Sequence, residues 1–60
     1  MKTKEQVISK IKEVEARLEF MKKYLQVKFD VSDWHGVEDA GSDIRDLEAE
    51  KKALLWALED

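Results

Sequence analysis

Residues 7–25 read VISKIKEVEARLEFMKKYL. Within them Val7, Ile11, Val14, Leu18, Met21 and Leu25 recur at spacings of four, three, four, three and four. That rhythm puts one apolar seam on one side of a helix and asks for a second helix to cover it. Ile8 and Phe29 widen the seam on one side. Thr3 is a natural N-cap, and Gln6 three residues on completes a capping box. Glu13 with Arg17 and Glu19 with Lys23 are i,i+4 pairs in the favourable order. Lys22, Lys23 and Lys28 complement the helix dipole near its C-terminus. The first helix is expected from about residue 3 to about 28.

Phe29-Asp30-Val31-Ser32-Asp33 breaks the pattern with turn-forming and capping residues, so a turn is expected over about 29–32. Ser32 or Asp33 suits the next N-cap. Two starts for the second helix are open. Gly36 and Gly41 are compatible with a loop that lasts until Ser42 caps a short helix. The apolar pattern instead runs back through both glycines: Trp34, Val37, Ala40, Gly41, Ile44, Leu47, Lys51, Leu54, Leu55, Leu58. A helix over about 33–58 would match the first in length, each near 40 Å at about 1.5 Å per residue. Two such helices form an antiparallel hairpin. Val14 then faces Leu47, Leu18 faces Ile44, Leu25 faces Val37, and Lys51 is a polar break near Ile11.

The totals agree with this. Sixty residues without Pro, with charged side chains at 42% of the chain, have the make-up of long helices. There is no Cys and one His, so neither a disulfide nor a thiolate metal site can staple so small a fold. A single core this small supplies roughly 3–5 kcal/mol at most, and association with further copies is the staple that remains. The net charge of −3 hides an asymmetry: residues 1–28 balance to +4 and residues 29–60 to −7. The halves attract each other and repel their own kind. Phe20, Tyr24, Ala49, Ala53 and Trp56 lie off the seam, where an apolar surface marks an interface. The expected architecture is all-α: a single coiled-coil-like helical hairpin assembling into a four-helix bundle or larger helical oligomer. No apolar run approaches a membrane span, and Met1-Lys2-Thr3-Lys4-Glu5 has no apolar core like that of a signal peptide. A cytoplasmic protein is expected.

Asp33-Trp34-His35-Gly36-Val37-Glu38-Asp39-Ala40-Gly41 is the most distinctive stretch. At the turn end, Trp34, His35 and Tyr24 are candidates to wall a planar ligand such as a nucleobase, with Arg45 and nearby lysines meeting its phosphates. The alternative is that Trp34 caps the bundle end and the glycines let the helices approach. His35, Glu38, Asp39 and Asp43 have the spacing of ligands on one helix face, but a solvated acidic face with a His35–Asp39 contact is the simpler reading, and no metal or cofactor is expected. Without a nucleophile–base pair or a phosphate loop, the chain is not expected to be an enzyme.

The run Asp33-Trp34-His35-Gly36-Val37, with Asp39-Ala40 and Asp43-Ile44-Arg45-Asp46-Leu47-Glu48-Ala49, resembles short all-helical proteins of bacteria and their phages. In size and helicity the chain is similar to phage proteins that sequester host signalling nucleotides, and to the helical-hairpin dimers that bind RNA in plasmid copy-number control. These resemblances imply a homo-oligomer acting on a host protein partner. Their alternatives are a sponge for a nucleotide-like molecule, or RNA binding through Lys10, Arg17 and Lys28.

Overall fold

The computed structural model describes residues 2–59. Two helices, α1 (Lys4–Asp30) and α2 (Trp34–Ala57), pack side by side as a hairpin 44 Å long and 14 Å across. Among the described residues no other helix or strand is present. The long second helix therefore holds, and Gly36, Gly41 and Ser42 lie inside it.

Helix α1 starts on the expected capping box. The Gln6 N–H donates to the Thr3 hydroxyl at 3.2 Å, and the Thr3 N–H donates to Gln6 Oε1 at 2.9 Å. The helix runs two residues beyond the expected end and closes in a Schellman motif. The Asp33 N–H donates to the Lys28 carbonyl at 2.9 Å, and the Ser32 N–H to the Phe29 carbonyl at 3.0 Å. Ser32 takes the left-handed position of this motif, with φ 58°. Asp33 then caps α2, its Oδ1 accepting the Gly36 N–H at 3.0 Å. One residue thus ends one helix and begins the next, which keeps the connection short and the helices adjacent.

The core lies along the heptad seam. Ile11, Val14, Leu18 and Ala40 are buried, flanked by half-buried Val7, Met21, Leu25, Val37, Ile44, Leu47, Leu54 and Leu58. Three expected seam residues are corrected. Trp34, Gly41 and Leu55 are exposed, because the α2 seam runs Asp33, Val37, Ala40, Ile44, Leu47, Lys51, Leu54, Leu58, and each of the three sits one position to its side. Lys51 remains in the seam and reaches outwards, its Nζ 3.3 Å from Glu15 Oε2. The Glu13–Arg17 and Glu19–Lys23 pairs do not close. The ion pairs between helix bodies cross the hairpin instead, Lys51–Glu15 and Lys22–Glu48, the latter at 3.8 Å. They join the basic half to the acidic half.

Candidate functional site

The expected ligand residues do not gather in one chain. Counted in heptads, Tyr24 and Trp34 flank the seam on opposite sides, with Lys28 between them. Trp34 meets Phe29 edge to face, with ring centroids 5.5 Å apart. Tyr24 lies under the Lys28 ammonium, 5.2 Å from its ring centre. His35 points outward from α2, its Nε2 3.7 Å from Asp39 Oδ2, the contact expected on a solvated acidic face. Arg45 is also exposed. Among the described residues no three His, Asp or Glu side chains come together as a metal site would require.

Lys28 is occupied at the turn. Its Nζ lies 3.5 Å from Asp33 Oδ2, and its stem runs past Gly36. A Cβ on Gly36 would come within 2.9 Å of both Lys28 Cδ and Asp33 Oδ2. Gly36 therefore leaves room for this latch. The Asp33 carboxyl is held below its ordinary value of 3.8, first by the Gly36 N–H and then by the Lys28 charge, against an opposing effect of desolvation. Gly41 is different: nothing lies within 4 Å of where its Cβ would be. No close approach inside the chain uses it.

Grooves follow the edge of the hairpin on the Tyr24 side. One has a volume of about 630 Å³ between Arg17, Phe20 and Met21 of α1 and Leu47 and Glu50 of α2. A second, of about 390 Å³, continues past Lys10 and Glu13 to Val7 and Leu54. None of Trp34, His35, Tyr24 or Arg45 lines either.

What the hairpin does present is apolar surface, divided in two. On the Tyr24 side Phe20, Tyr24, Val27 and Val31 form an exposed stripe at spacings of four, three and four. On the other side lie Ile8 (38% exposed) and Phe29 (53%) of α1 and Trp34 (55%) and Leu55 (47%) of α2, at the two ends of one edge, about 31 Å apart at 1.5 Å per residue. Each stands at the position just beside its seam, the one called e in a heptad. Trp56, 74% exposed, belongs to neither. It lies on the outer side of α2 near the level of Val7, thirteen residues from Phe20 along α1, about 20 Å at 1.5 Å per residue. Phe20, Tyr24, Ala49, Ala53 and Trp56 therefore do not make one continuous patch. Reading Ile8, Phe29, Trp34 and Leu55 as a broadened seam hid the second face. The signal for it was the seven-residue repeat Ile8, Glu15, Lys22, Phe29.

No protein-family model, curated protein or solved structure matches the chain. Among the described residues no helix is long and apolar enough to cross a membrane.

Proposed function

We infer that the chain is a self-associating helical interaction module: a hairpin that completes its core against further copies and presents the assembled surface to a protein partner. The observation that carries this is the poor cover of its apolar side chains. Among the described residues only Ile11, Val14, Leu18 and Ala40 are buried, while two tryptophans, two phenylalanines and a tyrosine stay exposed. Complete burial of a large apolar side chain contributes roughly 1.5–3 kcal/mol, so covering side chains that are about half exposed adds to what the hairpin's own core supplies. A host protein is the class of partner that fits an apolar, helix-presented surface without a ligand cavity. The nucleotide-sponge alternative would need a second chain to bring Trp34 and Tyr24 to one pocket. The RNA alternative loses Lys28, which the turn latch engages.

Sedimentation equilibrium over nanomolar to high-micromolar chain concentration tests the self-association. The expected result is a concentration-dependent dimer or larger species, with helix content by circular dichroism rising as it forms. A folded monomer throughout that range overturns it.

A further inference from the structure

We propose that the face bearing Ile8, Phe29, Trp34 and Leu55 is where a second copy docks, and that it docks end for end, about a two-fold axis perpendicular to the helices. This rests on the self-association inferred above and adds which face and which register. Counting back by sevens from the Phe29–Trp34 ring contact sets four levels along the face. They are Phe29 beside Trp34, Lys22 beside Gly41, Glu15 beside Glu48, and Ile8 beside Leu55. Successive levels are about 10.5 Å apart at 1.5 Å per residue. The bridge from Lys22 to Glu48 spans the two middle levels.

A face that pairs with itself must match under its own symmetry operation. With the two-fold axis midway between the two middle levels, Ile8 meets Phe29 of the second copy and Leu55 meets its Trp34. Glu15 meets Lys22, and Glu48 meets Gly41. Both ends bring apolar against apolar, and the middle brings acid against lysine. At the next position outwards Glu38 lies opposite Lys52, while Arg45 and Glu19 each meet their own copy near the axis, so that row is mixed and the choice rests on the Glu15–Lys22 level. The other two-fold choice, about the long axis, puts Glu15 and Glu48 of both copies on one level. Four carboxylates would then converge and Lys12 would lie against Lys52, against one favourable contact of Glu19 with Arg45. Charges on this face decide the arrangement, because charges farther than about 8–10 Å apart are screened at physiological salt. This register lays α1 over α1 and α2 over α2 of the second copy, so the like net charges of each half, +4 and −7, oppose it and the Glu15–Lys22 contacts must outweigh that.

Gly41 bears on the choice of face. It is an exposed mid-helix glycine on this face that no contact inside the chain explains, and either two-fold lays a long side chain of the second copy over it, Glu48 in the end-for-end register and Lys22 in the other. The long side of the hairpin, 44 Å by 14 Å between Cα extremes before side chains are added, is of the scale needed for about 800 Å² buried per partner.

The chain has no cysteine, so engineered thiols report the register directly. Ile8→Cys and Phe29→Cys chains are mixed and treated with a short bifunctional maleimide, and Trp34→Cys and Leu55→Cys chains likewise. Both mixtures are expected to give covalent dimers, while each variant alone gives none, since like positions lie at opposite ends. Leu55→Glu is expected to raise the dimer dissociation constant more than tenfold, because two leucines leave the interface, while Trp56→Glu leaves it unchanged. Linking in a mixture of Ile8→Cys with Leu55→Cys chains, or of Phe29→Cys alone, overturns the end-for-end register. A dimer that tolerates Leu55→Glu and is lost with Phe20→Glu overturns the choice of face and leaves self-association standing. A wild-type monomer removes both.

Discussion

Gly41→Ala should stabilise the hairpin, and the size of the gain follows from the structure. Gly41 lies inside α2 with seven residues of helix before it and sixteen after it, and a Cβ added there meets nothing within 4 Å. No packing penalty inside the hairpin opposes the change, so in a Leu55→Glu background, where no second copy lies against Gly41, the full helix-propensity difference between Gly and Ala, about 1 kcal/mol, should appear. In a domain of about 60 residues that corresponds to a rise in melting temperature of roughly 4–8 °C. Thermal unfolding followed by circular dichroism at 222 nm, at one fixed chain concentration, reads it. Gly36→Ala is the control with opposite sign. Its Cβ would sit 2.9 Å from Asp33 Oδ2, the oxygen paired with Lys28, and from the Lys28 stem, so the propensity gain is offset by a disturbed latch, and the variant should melt no higher than wild type. Equal gains at both glycines, or a loss at Gly41 in that background, would refute the assignment of one glycine to a latch and the other to a position with nothing packed on it inside the hairpin.

The turn supplies two further tests. Asp33 has its folded pKa lowered below 3.8, so its contribution is fully present above the ordinary value and is lost as pH falls through the lower folded one. Asp33→Asn keeps an acceptor for the Gly36 N–H, and should flatten the loss of stability below about pH 4 measured by urea melts across pH. Ser32 holds φ 58°, where an L-residue is strained by roughly 1–2 kcal/mol. Ser32→Gly should raise stability by less than that, about 0.5–1 kcal/mol, because glycine also loosens the unfolded chain, and Ser32→Val should lower it. In the seam, Lys51→Leu replaces a half-exposed ion pair with Glu15, worth roughly 0–1 kcal/mol, by an apolar contact worth more. It should raise the melting temperature and lower the salt dependence of unfolding.

The heptad of α1 made the hairpin legible, because spacings of three and four over six apolar residues have no other economical reading. The capping box at Thr3 and Gln6 was legible for the same reason: it is a local bond between residues three apart. Two things were not. The exact side on which Trp34, Gly41 and Leu55 fall depends on one step of 100° around the helix, and a broad apolar stripe does not reveal which edge the partner covers. The nucleobase pocket rested on residues close in sequence number or close to the turn. Closeness to a turn says nothing about side, and the seam that binds the helices separates Tyr24 from Trp34.

The division of the surface has a consequence for how the protein responds to its own concentration. Four buried residues among those described are a small core for a chain that must order two helices of 27 and 24 residues, since fixing each backbone residue costs roughly 1–2 kcal/mol in conformational entropy. If the docking face contributes as much apolar burial as the seam, folding and pairing form one equilibrium, and stability rises with chain concentration by mass action. A urea midpoint that climbs as the protein is concentrated is then expected for the wild type. A Leu55→Glu chain should show a low midpoint with no such climb. The stripe of Phe20, Tyr24, Val27 and Val31 stays on the outside of the paired form, so substitutions there should alter what the assembly binds while leaving that concentration dependence in place.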